Sequence, residues 1–172
     1  MKYSTLDDLL LLKIKSLYDT EQELIKALPK MAKKASSEEL KNAFRSHLEE
    51  TKAQKERLEK VFEIMGKKAQ KVKVEAIRGL VEDSKWLMEE DMSPLALDAA
   101  LIGAAQYVEH YEIAGYGTAK SWAEELGYDD IAELLDETLK EEEKTDTLLT
   151  SLAEQSLNEE ALLGLDKKED VE

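Results

Sequence analysis

Seven side chains in this 172-residue chain combine metal-binding chemistry with helical spacing. His47 and Glu50 lie three apart, Glu109 and Glu112 three apart, and Glu142 and Asp146 four apart. Residues at those spacings share a helix face, with Cβ atoms about 5–6 Å from one another. Each pair can therefore aim two ligand atoms at one point. Glu21 completes the set because it interrupts an otherwise apolar stripe, as do Glu109 and Glu142, while His47 and Gln54 break another. Carboxylates brought together in a core repel and lose hydration unless a cation compensates them. The stripes carry no Lys or Arg at these levels, so the spacing predicts a pair of divalent ions held by oxygen ligands and one imidazole.

Four long helices must position these groups. The first is predicted from about Thr5 to Lys34, with Thr5 as N-cap and Asp7 and Asp8 in the first turn. Its inward stripe runs Leu10, Ile14, Leu17, Glu21, Leu24, Leu28, Met31, and Pro29 should bend or loosen its last turn. The second opens at Ser36 or Ser37 and ends before Gly66, with the stripe Leu40, Phe44, His47, Thr51, Gln54, Leu58. The third starts at Ser93-Pro94, a cap and first-turn pairing, and stops at Gly127. The fourth runs from about Asp129 to Gln155. Between the second and third, a basic stretch (residues 67–73) leads into a shorter amphipathic helix from Val74 to Glu90. So long a link suits a crossover along a bundle better than a tight hairpin. The expectation is an all-α domain over residues 1–156, a four-helix bundle with a crossover helix between its second and third long helices. Residues 157–172 read as a short, charged, flexible tail.

Composition narrows the function. There are 24 Lys and Arg against 39 Asp and Glu, a net charge of −15, which disfavours nucleic acid and anionic membranes as partners. Protection of DNA by a ferritin-type shell fails on the same ground, since the 67–73 stretch is the only basic patch. The absence of Cys removes thiolate metal sites and redox dithiols. With 7 Gly and 2 Pro the chain lacks the turn residues of an all-β fold. It shows neither a signal peptide nor about 18 consecutive apolar residues, so a cytoplasmic protein is expected.

Most of the acids must be a solvated face. Of Glu141, Glu142 and Glu143 only one can point directly inward, and Glu142 fits the stripe. Asp146 fits a ligand or a solvated residue equally, and His110 fits the surface. Tyr116, one turn beyond Glu112, is placed to donate to a ligand. Trp86 and Trp122 are expected to pack. The four-helix carboxylate pattern uses one Glu from each of two helices and Glu-x-x-His from each of the other two. Here the second helix reads His-x-x-Glu, and the fourth has no His.

Several blocks together resemble the YciE/YciF-type ferritin-like family. They are Leu17-Tyr18-Asp19-Thr20-Glu21, His47-Leu48-Glu49-Glu50-Thr51, Ala104-Ala105-Gln106-Tyr107-Val108-Glu109-His110-Tyr111-Glu112-Ile113-Ala114 with Tyr116, and Leu139-Lys140-Glu141-Glu142 with Asp146. The match keeps order and spacing from about Leu6 to Glu154, and Glu109-His110-Tyr111-Glu112 is its most specific part. The resemblance implies a ferritin-like bundle with two iron ions per chain, a link to bacterial stress responses, and homodimers rather than cages. Position by position it implies Glu21, His47, Glu50, Glu109, Glu112 and Glu142 as ligands, with Asp146 less firmly. The missing second imidazole makes the site harder and tilts it toward iron or manganese. On this reading bound metal is oxidised by peroxide or dioxygen. The competing reading is a non-catalytic dimerisation or partner-binding module whose metal is structural or vestigial.

Overall fold

A computed structural model describes residues 3–164, and every regular element among them is helical. The elements are α1 (Leu6–Lys34), α2 (Glu38–Ile64), α3 (Glu75–Glu89), α4 (Pro94–Glu125) and α5 (Asp129–Leu152), followed by a π-helical turn (Ala153–Leu157) and α6 (Asn158–Leu163). Residues 157–163, assigned to the charged tail from sequence, are thus helical and Gly164 follows them; residues 165–172 of that segment lie outside the described residues.

Local chemistry sets the boundaries. Thr5 Oγ1 accepts from Asp8 N–H at 3.1 Å while the Asp8 carboxylate accepts from Thr5 N–H at 3.1 Å, a reciprocal capping box. Ser37 caps α2 through Leu40 N–H, and Ser93 caps α4 through Ala96 N–H with Pro94 at the first helical position. Gly66 and Gly127 end α2 and α4 at φ +64° and +72°, a conformation that costs a residue with a Cβ. Each permits the backbone bond that closes the last turn, Lys67 N–H to Phe62 O at 2.8 Å and Tyr128 N–H to Ala123 O at 2.9 Å. Helix α1 continues through Pro29 to Lys34.

The long helices pack as two pairs, α1 on α2 and α4 on α5, joined by α1–α4 and α2–α5 contacts. Two apolar clusters fill the interior. One gathers Leu24 and Leu28 of α1, Leu40 and Phe44 of α2, Leu101 and Ile102 of α4 and Leu149 of α5. The other gathers Leu10, Ile14 and Leu17, then Leu58 and Val61, Tyr116 and Ala119, and Ile131 and Leu135. Each helix passes from one cluster to the other, and its polar interruption falls between them. Helix α2 ends in the second cluster while α4 begins in the first, so the link between them, carrying α3, connects opposite ends of the bundle. Ile77 and Met88 bind α3 to the first cluster.

Two buried acids outside the middle layer anchor the connections. Asp98 of α4, fully buried, accepts from Ser36 N–H (2.7 Å), Ser36 Oγ (2.6 Å) and Ser37 N–H (2.8 Å), fastening the α1–α2 turn. Asp98→Ala should remove three hydrogen bonds to a buried carboxylate, at about 1–3 kcal/mol in all. A urea midpoint lowered by roughly 1 M would register it; an unchanged midpoint would mean water replaces the carboxylate without loss. Asp19 of α1, also fully buried, holds the link at Val74 and Arg78.

Candidate metal centre

The middle layer is built from one or more polar turns of every long helix. Glu21 comes from α1, His47, Thr51 and Gln54 from α2, Glu109 and Glu112 from α4, and Thr138, Glu142 and Thr145 from α5. All are buried. The helical period that puts leucines in the core above and below also puts these residues there, with two to three turns of apolar packing on either side excluding water.

One ligand atom from each of His47, Glu109, Glu112 and Glu142 lies within 4.8 Å of the other three. Glu21 adjoins them and interacts directly with Glu112. His47 Nε2 stands 3.3 Å from Glu109 Oε1 and its Nδ1 3.9 Å from Glu50 Oε2. Glu50 is about one-third exposed, at the rim. Asp146 is 22% exposed and sits 3.4 Å from Nε2 of the exposed His110 and 3.4 Å from Gln106 Nε2. Of the seven residues singled out from sequence, five therefore meet in the core, while Glu50 and Asp146 stand on its edge.

Buried polar atoms are nearly always paired. Here Glu21 Oε2, both nitrogens of His47, Gln54 Oε1, Glu109 Oε2, both oxygens of Glu112 and Glu142 Oε2 have no hydrogen-bond partner, and among the described residues all such atoms lie in this layer. Their composition is mostly anionic oxygen with one imidazole, the donor set of a divalent cation. The residues present fit a metal.

Electrostatics agree. Burial first, then the charge of Glu142, pushes Glu21 and Glu109 well above the usual carboxylate range. Burial and then Glu21 do the same to Glu112. Tyr116, fully buried and donating to Glu21 Oε1, is raised by burial and by the Glu21 charge. Without a cation the layer favours its protons; with one it favours its charges.

Two sequence readings need correcting. Arg57, off the stripe, is only 11% exposed and reaches the level of the layer. It donates to Thr138 Oγ1 (2.7 Å), to Glu141 (2.9 and 3.0 Å) and to Glu137 (2.7 Å). The signal was its place one turn after Gln54, yet its charge goes to Glu141 and Glu137, and among the described residues Glu21, Glu109, Glu112 and Glu142 form no ion pair with Lys or Arg. Trp86 does not pack away: it is 56% exposed, lining with Leu80, Leu87, Ala100 and the exposed Tyr107 an apolar groove of about 380 Å³ between α3 and α4. No helix among the described residues is long and apolar enough to cross a membrane.

Comparison with known proteins adds a frame. A family profile described as "Domain of unknown function (DUF892)" matches residues 5–162. Protein YciF of Escherichia coli K12 is 44% identical over 162 residues, spanning 94% of this chain and 98% of YciF. The crystal structure of YciF, described as a stress protein, superposes at TM-score 0.87 over 90% of this chain and 98% of that one. YcfI of Rhodopseudomonas palustris, described as a candidate structural protein, superposes at 0.84 with 45% identity, covering 86% and 94%. A Xanthomonas campestris protein at 19% identity and TM-score 0.73, covering 93% and 98%, shares the fold alone.

Proposed function

The chain belongs to the DUF892 family, in the company of YciF, and from that premise we propose that its bundle core is a carboxylate-rich centre for two iron or manganese ions serving a bacterial stress response. The observation that carries this reading is the layer of partnerless buried ligand atoms in His47, Glu109, Glu112, Glu142 and Glu21. The role in stress is taken from the description of YciF, the relative that matches along nearly its whole length.

His47, Glu109, Glu112 and Glu142 would hold one ion between them, and Glu21 would share the second with Glu112. Glu50 and Asp146, at the edge of the layer, would close the coordination from outside or pass ions inward. The ions would supply the electrons for reducing peroxide or dioxygen. The chain's own share of the work is to exclude water through the two apolar clusters and to release protons from Glu21, Glu109 and Glu112 as charge arrives. A homodimer is the assembly that goes with this reading.

Elemental analysis of protein reloaded anaerobically with ferrous or manganous ion tests the proposal. About two ions per chain are expected, falling below one in Glu142→Ala and His47→Ala proteins that keep their helical content. Unchanged metal in both variants would refute the site. Full loading with no peroxide- or dioxygen-dependent oxidation would favour the second reading, a partner-binding module with a structural metal, toward which the description of YcfI leans.

A further inference from the structure

The buried carboxylates do not offer their oxygens equally. Glu112 leaves both without a partner, whereas Glu21 and Glu142 each leave only Oε2. In both of these the other oxygen is taken by a neutral donor on a different helix. The Tyr116 hydroxyl of α4 donates to Glu21 Oε1, and Gln54 Nε2 of α2 donates to Glu142 Oε1. Both donors are held in place. Tyr116 is fully buried within the second apolar cluster. Gln54 is 1% exposed, and its amide is shared with Glu141 Oε2 at 3.1 Å, an oxygen that Arg57 also holds at 2.9 Å.

We propose that Tyr116 and Gln54 are positioning residues that set ion specificity. By taking one lone pair of Glu21 Oε1 and one of Glu142 Oε1, they bias these carboxylates toward meeting a cation through Oε2 alone. Glu112 is left free to use both. The assignment rests on the metal reading above and deepens it.

The consequence is discrimination among hard cations. Calcium takes six to eight oxygens and often reaches that number by gripping carboxylates through both oxygens. Smaller ions such as Mn²⁺ are content with fewer, closer ligands. Two carboxylates biased against chelation therefore disfavour Ca²⁺ relative to Mn²⁺, although carboxylate chemistry alone suits both. Neutral donors achieve this without spending the negative charge that attracts the ion; a Lys or Arg in their place would compete with it.

The test is competition between Mn²⁺ and Ca²⁺ for wild type, Tyr116→Phe and Gln54→Met, with free aqueous Mn²⁺ read by electron paramagnetic resonance. Tyr116→Phe removes only a hydroxyl and Gln54→Met nearly preserves volume, and circular dichroism checks that each folds. All three proteins are expected to bind Mn²⁺. The Ca²⁺ needed to displace half of it should fall about 10-fold or more in each variant, in the range for lost hydrogen bonds to metal ligands. The visible absorption of bound Co²⁺ should change as well, because a freed oxygen raises the coordination number, which a purely structural role would not produce. A folded variant with wild-type selectivity and Co²⁺ spectrum overturns the assignment for its residue and leaves the metal reading standing. Failure of the wild type to bind either Mn²⁺ or, under anaerobic conditions, Fe²⁺ overturns both.

Discussion

Metal-free Glu112→Gln protein is expected to melt above metal-free wild type at pH 7.5, and saturating Mn²⁺ is expected to reverse the order. Glu112 is fully buried, neither of its oxygens has a partner, and burial followed by the charges of Glu21, Glu142 and Glu109 raises its pKa well above 4.5. Below about pH 4.5 the folded and unfolded chains both carry these protons, and no penalty arises. Above it the unfolded chain releases protons that the folded chain retains, so stability falls as pH rises until the folded groups ionise. Replacing one such acid by a neutral side chain of the same shape should restore about 1–4 kcal/mol, since each pH unit over which the folded chain alone keeps the proton costs about 1.4 kcal/mol. At roughly 2–4 °C per kcal/mol for a chain of this size, the difference is readily measured by calorimetry. Metal acts the other way, since an ion at 100 times its Kd adds about 2.7 kcal/mol per site to the protein that binds it. A variant that melts below wild type in both conditions would mean that Glu112 is held for packing rather than for a cation.

Asp19→Asn should destabilise the protein by about 2–4 kcal/mol while leaving the metal ligands unchanged. The Asp19 carboxylate is fully buried and accepts from Val74 N–H (2.9 Å) and from Arg78 (2.5 and 3.2 Å), with Lys71 Nζ at 3.1 Å. Burial alone would raise its pKa, but the bonds from Arg78, Val74 and Lys71 outweigh burial and hold the group far below the usual range. Removing one member of a buried pair costs about 3–5 kcal/mol; Arg78 is 26% exposed, which trims that figure. The sign with pH is opposite to that of the metal layer. Asp19 contributes its full stabilisation above the unfolded carboxyl pKa near 4, and loses it as pH falls through the lower folded value. Metal-free wild type should therefore be most stable in mild acid, and the Asn variant should show a shallower acid-side decline, lacking the share of Asp19. Urea titrations from pH 3 to 8 follow both slopes. Equal midpoints for Asp19→Asn and wild type at pH 6 would show that α3 stays docked without this ion pair.

Periodicity alone determined much of the protein. The stripes of α1, α2, α4 and α5 are set by a 3.6-residue repeat, and caps such as Thr5, Ser93 and Gly127 act within one or two turns. Both are local physics, readable without knowing what packs where. The same repeat marked Glu21, Glu109, Glu112, Glu142 and His47 as acids and imidazole in core positions, because a carboxylate flanked by core leucines has few places to point.

Tertiary packing decided the rest. Asp19 and Asp98 look like ordinary helix acids in sequence; their burial depends on Arg78, Val74, Ser36 and Ser37, 55 to 62 residues away. Arg57 reaches inward because a long side chain can bend toward Thr138 and Glu141, 81 and 84 residues distant, from a position off the stripe. Trp86 is exposed because α3 lays its Ile77 face on the bundle and turns the other outward. Glu50 and Asp146 share a helix face with ligands yet stop at the rim, since spacing places two residues on one side of a helix while only the neighbouring helix determines how deep that side is buried. Which oxygen of Glu21 or Glu142 is free is likewise set by Tyr116 and Gln54 across a helix interface. A one-dimensional repeat carries the direction of a side chain, and the partner it meets there is a property of the folded bundle.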